Sequence, residues 1–247
     1  MARRLLSRLL PAPARRVLLA LAWLGGGAAA ADTITQARYA EPTDRYAHGV
    51  LGDAIEWGAL EMVVTRGGGA QTYVVRLPRD RVFEDVAPRL ADVDGDGAPE
   101  VVVVESQART GAQLAVYDET GKLAATPHIG RRNRWLAPIG VADLDGDGTI
   151  ELAYIDRPHL AKTLRVWRFE GGGLVPVADL PGLTNHRIGE RDIGGGLRDC
   201  GQGVEMITAS ANWQRVMATT LRDGVLTTRD IASHIGRASL NAALACN

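Results

Sequence analysis

Two short acidic segments of this chain are nearly identical, and they constrain its fold more than any other feature. The first acidic loop reads DVDGDGAPE at residues 92–100, and the second acidic loop reads DLDGDGTIE at residues 143–151, 51 positions later. Each leads directly into an apolar stretch, VVVVES or LAYID, that is typical of a β-strand. A repeat of this period predicts a chain of similar units that bury their apolar faces against one another.

The segments around these loops also have β character. QTYVVRL, AQLAVYD, TLRVWRF and WQRVMATTL mix β-branched and aromatic residues, and each is followed by a turn rich in Gly or Asp. The sequence therefore predicts an all-β fold, a small β-propeller of about four to five four-stranded blades. Four units are recognisable, near residues 47–85, 87–126, 136–179 and 186–230, and we expect the two chain ends to pair as a fifth blade or to close the ring. SLNAALA predicts a short C-terminal helix, and a β-sandwich is the alternative architecture.

The N-terminal segment has the pattern of a secretory signal peptide. Five arginines and no acid occur within the first 16 residues, followed by an apolar core and small residues before Asp32. We expect cleavage of residues 1–31, export to the periplasm or the cell exterior, and a single repeat domain over 32–247. A membrane anchor is the alternative, but the apolar run is shorter than the roughly 20 residues of a spanning helix, so no transmembrane span is expected in the mature chain.

Charge and cysteine content restrict the partners. Without residues 1–31, the chain has 23 basic and 29 acidic residues, a net charge of −6. A nucleic-acid partner is not expected, because such proteins present a basic surface. Cys200 and Cys246 are the two cysteines of the sequence, and in an oxidising compartment they predict a disulfide, with two free thiols as the alternative.

The acidic loops have the pattern of a cation site. Aspartates at loop positions 1, 3 and 5 aim three carboxylates at one centre, and glycine at position 6 permits a sharp bend. An EF-hand requires Glu at position 12, where these loops have Val103 and Tyr154. The glutamate here comes at position 9 instead. We therefore predict two structural Ca²⁺ sites, and the alternative is a hairpin turn that binds nothing.

These loops resemble the calcium loops of FG-GAP/VCBS repeats, which form the blades of the integrin α-chain propeller and of its bacterial relatives. In that family the ion usually braces a hairpin and is not catalytic, and the first and fourth units of this chain depart from the pattern. The resemblance implies these metal ligands, with Ala98 and Thr149 acting through their carbonyls: Asp92, Asp94, Asp96, Ala98, Glu100, Asp143, Asp145, Asp147, Thr149 and Glu151.

Other polar residues suggest a second kind of site. His48, His186 and His234 each stand near the start of a unit, with Arg89 at a related place. They are a candidate ligand site at one mouth of the propeller channel, or histidines that cap strands. Two basic loops, GRRNRW at 130–135 and DRPHLAKTLRVW at 156–167, could receive an anionic partner or be solvated.

The functional prediction is an exported, calcium-binding β-propeller that acts as a non-catalytic binding or scaffold module in the cell envelope. Its partner would be an unidentified protein or glycan, and we expect a monomer. No nucleophile elbow, phosphate loop or HExxH motif occurs in the sequence. One alternative is a small propeller enzyme, a lyase or hydrolase acting on a glycan or phosphoester. A third is an integrin-like adhesion module.

Overall fold

The computed structural model describes residues 32–247. The predicted signal peptide, residues 1–31, lies outside this described part. As predicted, the described chain is all-β, with one short C-terminal helix. The first unit contains β1 (Thr33–Thr43), β2 (Glu56–Arg66) and β3 (Gly69–Arg76). The second contains β4 (Arg81–Phe83), β5 (Arg89–Ala91), β6 (Glu100–Gln107), β7 (Gly111–Asp118) and β8 (Gly121–Ala125).

The third unit contains β9 (Leu136–Ala142), β10 (Glu151–Asp156), β11 (Thr163–Glu170) and β12 (Gly173–Pro181). The fourth contains β13 (Leu183–Thr184), β14 (Gly196–Asp199), β15 (Val204–Ser210), β16 (Arg215–Arg222) and β17 (Val225–Ser233), followed by α1 (Arg237–Leu244). All strand pairs are antiparallel. The arrangement is β-propeller-like.

The first strand is interrupted in the second and fourth units and contains a one-residue bulge in the third. β4 and β5 pair with opposite ends of β6 and are separated by residues 84–88. β13 and β14 pair with opposite ends of β15 and are separated by residues 185–195. The ladder between β9 and β10 is continuous except for a one-residue shift at Ile139. Each interruption takes residues out of the ladder, which frees their polar side chains to meet those of other units.

The first unit departs from the four-stranded pattern. β1 pairs along β2, from Thr33 with Thr65 to Thr43 with Glu56, and a loop of residues 44–55 joins the two strands. β4 then bridges β2 to β6, so the first two units share one eight-stranded sheet. The expectation that the two chain ends pair with each other is wrong, because β1 pairs with β2 and the chain ends in α1.

Apolar layers join each unit to the next. Along β6, Val101 and Val103 enter the layer shared with the first unit, whereas Val102 and Val104 enter the layer shared with the third. This alternation explains the continuous apolar run, because both faces of the strand are buried. A further layer joins the third and fourth units around Ile155, Leu164 and Met206.

Helix α1 covers the remaining face of the fourth unit. Leu240 and Ala243 pack against Ile207, Val216 and Ala218. The disulfide between Cys200 and Cys246, whose Cα atoms are 5.8 Å apart, holds the end of the chain beside this sheet. Closing a loop of this length stabilises a fold by about 4 kcal/mol in the chain-entropy treatment. In the described part of the chain, no helix combines the length and apolar character needed to cross a membrane.

Candidate functional site

The first acidic loop is curled by its own side chains. Asp92 accepts backbone N–H groups on both carboxylate oxygens, from Gly95 at 2.8 Å and from Gly97 at 3.0 Å. Gly97 has a φ of 91°, which explains the glycine at the sharp bend. The curl leaves Asp92, Asp94 and Asp96 with oxygens within 4.8 Å of one another. Three carboxylates at this spacing fit a hard divalent cation.

Glu100 closes the same loop from the start of β6. Its Oε2 accepts the Val93 N–H at 2.8 Å, and its side chain is buried. Burial, reinforced by the charges of Asp94, Asp96 and Asp92, raises the pKa of Glu100 to about 7. A cation in the loop would relieve this repulsion between carboxylates.

The second acidic loop has the same curl. Asp143 accepts from Gly146 at 2.6 Å and from Gly148 at 2.9 Å, and Glu151 accepts the Leu144 N–H at 2.9 Å. The side chains of Asp143, Asp145 and Glu151 have oxygens within 4.8 Å of one another. Thr149 donates its N–H to Asp147 at 2.8 Å, outside this group of three. These residues also fit a divalent cation.

An arginine distinguishes the second loop from the first. Arg168 lies opposite Glu151 in the β10–β11 ladder and donates to that carboxylate at 2.6 Å. Its Nη2 also lies 3.1 Å from Asp145 and 3.0 Å from Asp147. The guanidinium therefore neutralises carboxylates that a cation would otherwise bind.

The surroundings of the first loop are acidic instead. A groove beside it is lined by Asp32, Asp118 and Glu119. In the fourth unit, the corresponding glutamate is Glu205, which accepts from Arg198 at 2.7 and 2.9 Å and pairs with Arg229. The positive partner of this glutamate thus differs from unit to unit.

A cavity of about 320 Å³ opens at the end of the strands opposite the acidic loops. Residues that line it come from the loop that precedes β9, from the loop that follows β10 and from the interrupted segment of the fourth unit. Its walls are aromatic, basic and aliphatic. The lining residues are His48, Asn133, Arg134, Trp135, Arg157, His159, Leu160 and Ile188.

A buried carboxylate orients one of the two histidines. His48 Nδ1 lies 2.5 Å from Glu84 Oε1, and Glu84, in the interrupted strand of the second unit, is fully buried. Ser106 donates to the other oxygen of Glu84, and the Trp135 indole donates to its backbone carbonyl at 2.8 Å. Because the carboxylate accepts, His48 Nδ1 carries a hydrogen and Nε2 is the nitrogen left for other partners.

The hydrogen positions on the other cavity histidine, His159, follow from its neighbour His186. His186 Nε2 lies 3.0 Å from the Glu190 carbonyl, which can only accept, so Nε2 carries the hydrogen. Burial lowers the pKa of His186, so its Nδ1 is a bare acceptor for His159 Nε2 at 3.0 Å. Burial first, and then the charges of His186 and His48, lowers the pKa of His159 to about 4. His159 is therefore neutral at pH 7, with Nδ1 as a free acceptor.

The loop that carries Arg134 is fixed from both sides. Asn133 donates its N–H to the Tyr46 hydroxyl at 3.2 Å, and Ala112 donates to the Arg134 carbonyl at 2.8 Å. A methyl group added at Gly111 would lie 2.3 Å from the Arg131 carbonyl oxygen and 2.7 Å from that of Arg134. Glycine at this position therefore permits the close approach of the two loops.

Two further buried acidic residues, Asp85 and Glu56, differ from each other in their partners. Asp85 is held by Arg89 at 2.5 and 3.2 Å. Glu56 is 2% exposed, and its carboxyl has no hydrogen-bond partner among the described residues. Burial, followed by the charges of Glu84, Asp53 and Asp85, raises the pKa of Glu56 to about 9. Glu56 is therefore protonated at neutral pH.

The match to a known family falls on the acidic loops. Residues 92–154, which span both loops and the strands between them, match the family described as FG-GAP-like repeat. The chain contains an FG-GAP repeat. The family expected from the two loops is thus confirmed for this segment. A comparison with curated proteins found no match.

Two solved structures align with this chain. The crystal structure of the exotype rhamnogalacturonan lyase YesX aligns with a TM-score of 0.39 and 14% identity, over 69% of this chain and 40% of that one. Bacillus licheniformis rhamnogalacturonan lyase PL11 aligns with a TM-score of 0.38 and 15% identity, over 70% of this chain and 42% of that one. The chain therefore spans about two fifths of each of these proteins.

The structure brings together part of the predicted ligand site of this protein. His48 lines the cavity, and His186 lies directly behind His159. Arg89 is bound to Asp85, one residue from Glu84, and does not line the cavity. His234 lies beside Trp213, with the ring centres 5.2 Å apart, and is also not a lining residue.

Sequence reasoning missed several residues of this arrangement. Glu84, Ser106 and Glu56 lie in ordinary strand-like segments, and only long-range pairing makes them neighbours of the cavity. Trp135 and His159 occur in the two basic loops, but their sequence gave no sign that these loops meet. Arg168 could have been found by counting across the β10–β11 hairpin from Glu151.

The raised pKa of Glu56 gives a prediction about stability and pH. The unfolded side chain ionises near pH 4.5, whereas the folded one stays protonated up to about pH 9. Stability is therefore lost as pH rises between these values, and Glu56→Gln removes that loss. We expect Glu56→Gln to gain about 1–3 kcal/mol over the wild type between pH 5 and pH 8.

The measurement is urea unfolding of both proteins at several pH values. Glu170→Gln is the control, because Glu170 is exposed and makes no ion pair among the described residues. A pH dependence that is the same for Glu56→Gln and the wild type would contradict the argument.

Proposed function

We propose that this protein is an exported, calcium-braced binding module that holds its ligand in the cavity and does not transform it. The observation that carries the proposal is convergence: His48 comes from the first unit, Trp135 and His159 from the third, and Ile188 from the fourth. Residues from three units that meet at one cavity favour recognition at that place.

The position of the acidic loops supports a structural role for the ions. The second loop precedes β10, whereas Arg157 and His159 follow β10. A strand of six residues separates the two ends by roughly 20 Å. Calcium at the loops would brace the hairpins without reaching the cavity. The disulfide in the described chain is compatible with the proposed export.

The two loops are proposed to bind calcium with different affinities. The first loop has acidic surroundings, whereas Arg168 already occupies part of the second donor set. A loop with a dissociation constant near 100 µM gains roughly 1.8 kcal/mol in 2 mM calcium. We expect Asp94→Ala to remove more of the calcium-dependent rise in melting temperature than Asp145→Ala, and Arg168→Gln to increase that rise.

These variants are compared by thermal unfolding in EDTA and in 2 mM calcium. Asp44→Ala is the control, since Asp44 is exposed and distant from both loops in the sequence. If calcium shifts none of the proteins, the calcium sites are wrong. If Asp145→Ala has the larger effect, the role given to Arg168 is wrong.

The binding role of the cavity is tested by capture. Immobilised residues 32–247 are incubated in calcium with extract from the cell envelope, beside Leu160→Asp and Ile235→Asp. Leu160 lines the cavity and is 62% exposed, whereas Ile235 is 81% exposed and does not line it. We expect retained material to fall at least about tenfold in Leu160→Asp alone. Equal retention by all three proteins would contradict a role for the cavity.

The pair of His48 and Glu84 favours a second candidate, a small enzyme acting on a glycan or phosphoester. The buried Glu84 carboxylate holds Nδ1 of His48, which leaves Nε2 of the ring for a substrate. Under this alternative, turnover on a panel of glycans and phosphoesters falls about 100-fold or more in His48→Ala, and also falls in His186→Ala. Turnover that survives both substitutions would exclude this arrangement as its source.

A further inference from the structure

Among the described residues, none of those lining the cavity is acidic, although residues 32–247 carry a net charge of −6. Its eight lining residues include two arginines and two histidines. Two carboxylates beside the lining residues are already bound: Glu84 by His48 and Ser106, and Asp156 by Arg157 and Arg165. The lining residues offer a metal ion no carboxylate ligand, whereas Arg134 and Arg157 present positive charge to an anion.

We infer that the cavity binds a small organic carboxylate that also carries a hydroxyl group and an apolar ring. This inference rests on the proposed function, because it names the ligand class of the same cavity. Each of the three parts of the ligand corresponds to one wall of the cavity.

Arg134 is the group that binds the carboxylate. Arg157 is held by Asp156 through two hydrogen bonds of 2.8 and 2.9 Å. Arg134 has no carboxylate partner among the described residues, and its guanidinium contacts the Asn133 carbonyl at 3.2 Å. Its backbone is fixed by the approach of Gly111 and by Ala112. A planar guanidinium carried on this fixed backbone matches the two oxygens of a carboxylate.

His159 selects the hydroxyl group. Its Nε2 hydrogen is directed to His186, so Nδ1 offers a lone pair and no hydrogen. The low pKa of about 4 keeps the ring neutral at the pH of most compartments. A hydroxyl donor therefore finds an acceptor at His159, and a second carboxylate would not.

Two exposed aliphatic side chains bind the apolar part. Leu160 is 62% exposed and Ile188 is 72% exposed, and both line the cavity although they belong to different units. A ring placed between them would remove apolar surface from water on both sides. The buried Trp135 forms the floor beside them.

Three matched probes test this assignment by isothermal titration at pH 7.5 in 2 mM calcium. Mandelate has the carboxylate, the hydroxyl and the ring, mandelamide lacks the charge, and phenylacetate lacks the hydroxyl. We expect mandelate to bind at least about tenfold more tightly than mandelamide and about threefold more tightly than phenylacetate.

Variants then locate the effect. Arg134→Gln reduces mandelate binding to the level of mandelamide, and His159→Phe removes the difference between mandelate and phenylacetate. Arg131→Gln is the matched control, because Arg131 lies in the same loop and does not line the cavity. Arg134→Lys keeps the positive charge but loses the planar, two-donor geometry of the guanidinium. Partial binding by this variant therefore separates the contribution of geometry from that of charge. Melting curves establish that each variant is folded.

Equal affinity for mandelate and mandelamide, or unchanged binding in Arg134→Gln, would overturn the inference. Absence of binding by all three probes at 20 mM would overturn it as well. If envelope capture still depends on Leu160 in those cases, the ligand class is wrong and the binding module stands. If capture is also insensitive to Leu160→Asp, both the proposed function and the inferred ligand class are wrong.

Discussion

A buried glutamate at the start of a central strand is the constraint on which the second, third and fourth units of this chain depend. Glu100, Glu151 and Glu205 stand there in the second, third and fourth units, and each is buried. A buried carboxylate is costly unless a donor or a positive charge compensates it. The groups that supply this compensation therefore stabilise the pairing of strands around the glutamate in these three units.

The units compensate this glutamate in different ways. Glu100 has the Val93 N–H and a loop suited to a cation, Glu151 has Arg168, and Glu205 has Arg198 and Arg229. In the first unit, Glu56 begins β2 at the opposite end of the strands, near Glu84, has no hydrogen-bond partner among the described residues and retains its proton. The repeated glutamate of the other three units is thus compensated by a backbone N–H and a proposed ion or by guanidinium groups.

The sequence predicts those parts of the structure that depend on local chemistry. The curl of the loops follows from the alternation of Asp and Gly, and the buried strands follow from runs such as that of Val101 to Val104. The first unit could not be predicted, because β1 finds its partner only through a long-range ladder with β2. Glu84 and His186 were equally hidden as partners, since the interruptions that release them are defined by pairing with β6 and β15.

The separation of the two ends also decides how the acidic loops affect the cavity. The loops hold eight carboxylates, enough to repel an anion at short range. At physiological ionic strength, however, exposed charges are screened over about 8 Å, and β10 places the cavity roughly 20 Å away. Near the cavity, His48 and Ser106 bind Glu84 and Arg157 binds Asp156, whereas the lining residue Arg134 has no carboxylate partner among the described residues. An acidic chain can therefore present a site for an anion, provided that its unpaired carboxylates remain at the opposite end of the strands.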